Sequence, residues 1–218
     1  MIKAVLFDFD GVLVDSMSFH VQAWQDVYRE FDIEIQPEDI LLTEGSKSID
    51  LAGKIFNERQ KPISETELNR FVAEKQDRYR EITRAKIENG AEELLRRLQE
   101  HGLQLGLVTG STLANVRAIL CPNVVSLFDV IITGDETCNG KPAPEPYLKA
   151  AQKLRVKPAN CLVVENAPLG IQAACSAGMK VVALTTTLSR HHLKGADYFF
   201  NNVAELKDKW QEIFSTVR

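Results

Sequence analysis

No stretch of this 218-residue sequence runs uncharged for the roughly 18 apolar residues that a membrane-spanning helix needs. The first apolar run, Ala4 to Phe7, meets acids at once at Asp8 and Asp10, so neither a span nor a secretory leader is expected. A basic surplus is also missing: 26 Lys+Arg stand against 30 Asp+Glu, a formal charge of −4 with the signs interspersed. Nucleic acid and anionic membrane, which both require a basic footprint, are therefore not expected as partners, although a local pocket for a small anion is still allowed. Cysteine is scarce, and the four present, Cys121, Cys138, Cys161 and Cys175, form no CxxC pair and have no histidine close by. A zinc site or disulfide framework is not expected; buried or inert free thiols in a cytoplasmic protein are. There is no internal repeat, low-complexity tract or long charge run.

What is present is enough for a core. With 44% hydrophobic residues, a chain of this length buries roughly 70% of its unfolded surface without needing metal or disulfides. Short β-branched runs, Ala4 to Phe7, Leu103 to Val108, Val130 to Ile132, Leu162 to Val164 and Val181 to Leu184, alternate with helical stretches. This order predicts an α/β fold, a doubly wound parallel sheet of five strands. Roughly 95 residues separate the first run from the second, far more than one crossover needs, so something is inserted there. That interval has helical periodicity: Phe19 or His20, Trp24, Val27 and Phe31 form one stripe, and Leu68, Phe71, Val72, Tyr79 and Ile82 another. Ser64 with Glu67 is a capping box opening the second helix. The expected division is a catalytic core at 1–15 and 86–218 with a helical-bundle cap at 16–85, hinged near Ser16 and at Lys86 to Gly90. The apolar stripes can all be consumed within cap and core, so a monomer or weak homodimer is expected.

Asp8 and Asp10 stand at i and i+2 of an extended chain, so both carboxylates project from one face at the carboxyl end of the first strand. That edge is where α/β sheets bind ligands. Gly11 permits a sharp turn immediately afterwards, and paired acids of this kind suit a hard cation such as Mg2+. An EF-hand loop fits poorly, because its third ligand would fall on Val12. Capping of a turn or of the next helix is the plain alternative.

Asp8-Phe9-Asp10-Gly11 after an apolar strand, followed by Val14-Asp15-Ser16, resembles the opening signature of the haloacid dehalogenase-like hydrolases. Three further motifs occur in the family's order, so the resemblance covers essentially the whole chain. Leu107-Val108-Thr109-Gly110-Ser111 resembles the second motif, which implies Thr109 as a phosphate ligand with Gly110 contributing its amide. Lys141, in Asn139-Gly140-Lys141-Pro142-Ala143-Pro144, resembles the lysine that pairs with the nucleophilic aspartate and the phosphate. Leu162-Val163-Val164-Glu165-Asn166 resembles the strand end that completes a magnesium site, with Asn166 where the family usually has an acid. The implied metal set is Asp8, Asp10, Glu165 and Asn166.

Two polar residues interrupt the apolar stripes of the insert. His20 is in register with Trp24, and Lys75 lies four residues after Phe71 and four before Tyr79. A lysine in such a place must snorkel outward or meet an anion. The insert resembles the cap of the beta-phosphoglucomutase-like subgroup, which has a His and a Lys at positions matching these two. The subgroup's substrate-reading Gly-x-x-Arg loop is here Gly45-Ser46-Lys47-Ser48, one residue shorter and with Lys for Arg, which loses the bidentate fork for a second phosphate. Glu44 just before it would repel a bare phosphate dianion. The resemblance implies a Mg2+-dependent phosphatase acting through an aspartyl-phosphate on a small phosphorylated metabolite: a sugar phosphate, a phosphoglycolate-like compound or pyrophosphate. Asp8 is the implied nucleophile and Asp10 the acid and base, with Thr109 and Lys141 in the catalytic set. The implied substrate-binding residues are His20, Gly45, Ser46, Lys47, Lys75, Thr109 and Gly110. A beta-phosphoglucomutase is the alternative, and a non-catalytic phosphometabolite-binding protein is the alternative of another class.

Overall fold

In the computed structural model, which describes residues 1–216, the apolar runs become strands of one sheet. They are β1 (Ala4–Phe7), β2 (Gln104–Val108), β3 (Val130–Ile132), β4 (Cys161–Glu165) and β5 (Lys180–Leu184), joined by β6 (Tyr198–Phe200). All pairings are parallel, in the order β3-β2-β1-β4-β5-β6. The sheet thus has six strands rather than five. β6 is missing from the expectation because it is three residues of half-buried edge strand, too short for a period to register.

Both faces of the sheet are covered, which is why its strands read as unbroken apolar runs. Within β1, Val5 and Phe7 enter one core with Leu94, Leu95 and Leu98 of α5 (Ala91–Glu100) and Leu206 and Trp210 of α10 (Val203–Thr216). Ala4 and Leu6 enter the opposite core with Tyr147, Ala150 and Leu154 of α8 (Glu145–Leu154) and Ile171 and Ala174 of α9 (Pro168–Ser176). The period-2 alternation of a strand puts neighbouring residues into different cores. The shorter helices α6 (Leu113–Ile119) and α7 (Pro122–Val125) follow β2.

The long interval after β1 folds as four helices: α1 (Met17–Arg29), α2 (Pro37–Leu41), α3 (Ser48–Glu58) and α4 (Glu65–Ile82). They enclose an aromatic core in which Tyr28 and Phe71 lie 4.7 Å apart and Phe56 and Phe71 5.0 Å apart. The Ser64 hydroxyl accepts from the Glu67 N–H, and the Glu67 carboxylate accepts from the Ser64 N–H, so the capping box forms. The two chain crossings run side by side: the Asp15 N–H donates to Lys86 O, and the Glu88 N–H to Leu13 O. No described helix is long and apolar enough to cross a membrane. Of the four free thiols, Cys161 is buried, whereas Cys121, Cys138 and Cys175 are exposed, so burial accounts for only one of them.

Candidate active site

The strand order reverses between β1 and β4, with β2 on the other side of β1. Residues that follow these three strands therefore meet at one edge. Asp8 continues the pairing of β1, its N–H donating to Val164 O, while the Thr109 N–H donates to Ile132 O and so extends β2. Lys141 comes from the loop before α8. Its Nζ lies 2.5 Å from Asp8 Oδ1 and 2.6 Å from Glu165 Oε1, and the whole side chain is buried. Burial alone would lower the Lys141 pKa, but Asp8 and Glu165 outweigh it and hold the ammonium well above the usual lysine range. Burial pushes the Asp8 carboxyl up, with Lys141 opposing and Glu165 and Asp10 adding. Two buried carboxylates thus share one ammonium, which leaves negative charge for a cation to balance.

Asp10 is held quite differently. Its Oδ1 accepts from Ser16 Oγ at 2.6 Å and lies 3.1 Å from His20 Nε2, while its Oδ2 accepts from Ser111 Oγ at 2.8 Å. Burial would raise its pKa, but His20, Ser16 and Ser111 together bring it down to about 2. Ser16 is the N-cap residue of α1, yet its hydroxyl makes no capping bond, because it is turned to Asp10 instead. Behind His20 stands Lys75, with Nζ 2.9 Å from His20 Nδ1. His20 thus bridges the two groups, its Nε2 facing Asp10 and its Nδ1 facing Lys75. Lys75 does not snorkel: it is 2% exposed, 4.9 Å from the centre of the Trp24 ring, and its pKa falls to about 8 through burial, against Glu44 and Asp10. Tyr79 stacks on His20 with ring centroids 4.0 Å apart. The helical register that places Phe71, Lys75 and Tyr79 on one face of α4 thereby connects the insert to Asp10.

Glu165 and Asn166, expected to act together on a metal, divide into two roles. Glu165 Oε1 accepts from Lys141 Nζ and from Tyr147 Oη at 2.8 Å, and Oε2 accepts from the N–H groups of Asn166 at 2.9 Å and Ala167 at 3.1 Å. Both of its oxygens are engaged by protein donors, so Glu165 positions Lys141 rather than presenting a free ligand. Asn166 is the reverse case. Its Nδ2 donates to Thr187 Oγ1 at 3.1 Å, while its buried Oδ1 has no hydrogen-bond partner among the described residues. A buried acceptor without a donor is costly, and a free amide oxygen at the end of β4, the strand paired with the one that leads into Asp8, is of the kind a hard cation takes. The Asp10 carboxylate is directed to other partners, its Oδ1 to Ser16 and His20 and its Oδ2 to Ser111. Among the described residues no group of three or more His, Cys, Asp or Glu is placed to hold a metal ion.

The loop ahead of α3 roofs this edge. Gly45, at φ +88°, lies so near Lys141 that a Cβ there would come within 2.9 Å of its Cδ; a Cβ on Gly110 would lie 3.5 Å from the carbonyls of Gly45 and Ser46. The loop's side chains depart from expectation. The Ser46 hydroxyl donates back to Thr43 O. The Lys47 ammonium donates to the carbonyls of Thr137 (2.5 Å) and Cys138 (2.8 Å), in the segment leading to Lys141, and so does not face Asp8. Thr109 is aligned by the Ser111 N–H, which donates to its Oγ1 and leaves the hydroxyl proton free to point elsewhere. Sequence reasoning missed Ser16, Ser111 and Tyr147 as supporting residues. The first two stand in plain view within Val14-Asp15-Ser16 and Thr109-Gly110-Ser111, whereas nothing local marks Tyr147.

The chain matches the model of the family described as haloacid dehalogenase-like hydrolase over residues 5–184. Over 98% of its length it is 31% identical to validoxylamine A 7'-phosphate phosphatase of Streptomyces hygroscopicus subsp. limoneus, covering 99% of that protein. It is 29% identical to hexitol phosphatase A of Escherichia coli K12, with 94% of this chain and 93% of the other aligned. The crystal structure of beta-phosphoglucomutase from Clostridium difficile superposes over the full length of both chains with a TM-score of 0.87 at 30% identity.

Proposed function

Because the chain belongs to the haloacid dehalogenase-like hydrolase family, we propose that it is a phosphatase that cleaves a small phosphorylated metabolite through an aspartyl-phosphate on Asp8. One observation carries this reading: Asp8 and Asp10, two residues apart, occupy opposite electrostatic settings, the first against Lys141 and the second among Ser16, His20 and Ser111. Paired carboxylates with divergent environments are how one site separates a nucleophile from an acid–base group.

The Asp8 carboxylate attacks phosphorus in line with the departing ester oxygen, and the P–O ester bond breaks as the new one forms. Asp10 gives a proton to the departing oxygen, then takes one from the water that attacks the phosphorylated Asp8, releasing inorganic phosphate. With its pKa at about 2 in the free site, Asp10 acquires that proton on substrate binding, because the incoming phosphate's negative charge raises it. Lys141 screens the repulsion between carboxylate and phosphoryl oxygens, and the Thr109 hydroxyl donates to one of those oxygens.

Phosphatases and mutases of this family generally use Mg2+. Asp8 and Asn166 Oδ1 are the residues that would hold it here, and when bound it would neutralise charge on the transferring phosphoryl group. Closing of the helical insert over the edge would exclude water from the phosphoenzyme until the leaving group has departed.

Hydrolysis is favoured over a mutase reaction because transfer to a second position of the same sugar requires holding a bisphosphate, and Lys47, the cation of the cap loop, is engaged by core carbonyls. The expected result is Mg2+-dependent phosphate release from p-nitrophenyl phosphate that falls by at least about 10^3-fold in Asp8→Asn. Retained turnover in that variant would overturn the nucleophile assignment. Conversion of beta-glucose 1-phosphate to glucose 6-phosphate in the presence of a bisphosphate activator would instead establish the mutase.

A further inference from the structure

β5 ends at Leu184 and runs directly into three threonines, Thr185-Thr186-Thr187, which the reaction described above does not use. The register of the sheet brings them to the phosphate-handling edge: Ala183 of β5 stands opposite Glu165 of β4, so the chain leaving β5 passes Asn166. Two of the hydroxyls are directed at that edge. Thr186 Oγ1 donates to Gly11 O at 2.6 Å, which ties the segment to the turn that follows Asp10. Thr187 Oγ1 meets Asn166 twice, accepting from Nδ2 at 3.1 Å and donating to the Asn166 backbone carbonyl at 3.4 Å. On its other side the Asn166 amide lies against Gly11, where a Cβ would come within 2.2 Å of Nδ2 and 3.1 Å of Thr187 Cγ2. The residue is fully buried in this slot, and its Oδ1 has no hydrogen-bond partner among the described residues.

We propose that Thr187 is a positioning residue for the divalent cation: its hydroxyl decides which end of the Asn166 amide is left free, and the end it leaves free is the oxygen. The proposal rests on the assignment of Asn166 to the metal site made with the phosphatase reading. The reason lies in the difference between an amide and a carboxylate. A carboxylate presents an oxygen to a cation whichever way it turns. An amide does so in only one of its two orientations, and in the other it turns toward the cation an NH2 group, which donates and cannot ligate. A hydroxyl could serve either orientation if its proton were free, accepting from Nδ2 or donating to Oδ1. Here that proton is directed at the Asn166 carbonyl, so the lone pairs face the side chain and select Nδ2. An asparagine at 166 therefore depends on the hydroxyl at 187 in a way that an acid would not.

The test is Mn2+ binding to the whole protein, followed by loss of the free-ion electron paramagnetic resonance signal and repeated with Mg2+ as competitor. Thr187→Val keeps the β-branched shape and the Thr186 anchor, and is expected to weaken binding of both ions about tenfold, the usual cost of removing a group that orients a metal ligand. Thr187→Ser restores the hydroxyl and is expected to stay within about twofold of the wild type. In the Asn166→Asp background Thr187→Val is expected to cost at most about twofold, because either carboxylate oxygen can serve. Unchanged binding in Thr187→Val overturns the proposal, as does a weakening of equal size in both backgrounds, which would make Thr187 a packing residue of its loop. If the wild type binds neither ion, the metal assignment fails separately. The side-chain amide protons of Asn166, identified in the NMR spectrum by their absence in Asn166→Asp, then decide the orientation alone. Solvent exchange at least about tenfold faster in Thr187→Val than in the wild type supports it, and equal exchange overturns it.

Discussion

Replacing Gly170 by alanine sets two effects of opposite sign against each other. Gly170 is the third residue of α9, and in a helix interior alanine is ordinarily favoured over glycine by about 1 kcal/mol. A Cβ at this position, however, would lie 1.7 Å from Glu165 Oε1 and 2.1 Å from Glu165 Cδ. The carboxylate cannot step aside cheaply, because Lys141, Tyr147 and the N–H groups of Asn166 and Ala167 all donate to it. Displacing it strands a buried ammonium and a buried carboxylate, a loss of about 3–5 kcal/mol, so the net change is a destabilisation of roughly 2–4 kcal/mol. For a chain of this size that corresponds to a Tm lower by roughly 4–16 °C, with Mg2+-dependent turnover falling as Lys141 loses its alignment on Asp8. Gly53, in the interior of α3, provides the control: its added Cβ would meet only Leu68 Cδ2 at 3.5 Å, an ordinary contact, so Gly53→Ala is expected to raise Tm slightly. Thermal unfolding followed by circular dichroism reads both. A Tm for Gly170→Ala at or above that of the wild type would refute the clamping of the Glu165 carboxylate by α9.

Asn166→Asp adds a formal charge at the end of β4, the strand paired with β1, and is expected to lower the Mg2+ concentration for half-maximal activity by about tenfold; an unchanged activation curve would remove residue 166 from the metal site. Lys47→Met is expected to lower kcat/KM by about three- to tenfold through loss of the two carbonyl contacts, and to do so equally for neutral and anionic substrates. A loss confined to anionic substrates would show that Lys47 binds them directly. Lys75 has a folded pKa of about 8 against 10.5 when unfolded, so the unfolded chain binds more protons in that interval and stability rises with pH across it. At 1.36 kcal/mol per pH unit the gain is roughly 3 kcal/mol, and it is expected to vanish in Lys75→Met when urea unfolding is compared at pH 7.5 and 10.5. Equal pH dependence in the two proteins would mean that Lys75 is not desolvated as described.

The parts of the site that lie at strand ends were legible because strand geometry is local. A strand that stops in two acids at i and i+2 presents both on one face whatever packs around it, and so Asp8 and Asp10 could be read directly. Lys141, Thr109 and the strand end at Glu165 were legible only as members of a family pattern, since a lone lysine or a threonine before a helix has no distinctive local signal. β6 and Tyr147 were not legible at all. An edge strand of three residues has no period to detect, and the tyrosine acquires its role only because α8 crosses the face of the sheet that carries Glu165.

By itself the sequence determined the parallel α/β sheet, the helical interruption after β1 and the identity of the chemistry-bearing residues, because apolar periodicity and residue type are properties of the chain. Where charged side chains are directed was decided only by tertiary structure. Long side chains reach their partners across large sequence separations: Lys75 turns inward to His20 rather than outward to water, Lys47 turns away from the substrate edge to Thr137 and Cys138, and Glu165 is saturated by donors from three elements. An amide in place of an acid at 166 looked in sequence like a weakened ligand. In the fold it carries an unsatisfied buried oxygen at the end of β4, because packing fixes its Nδ2 on Thr187 and leaves Oδ1 facing no described donor.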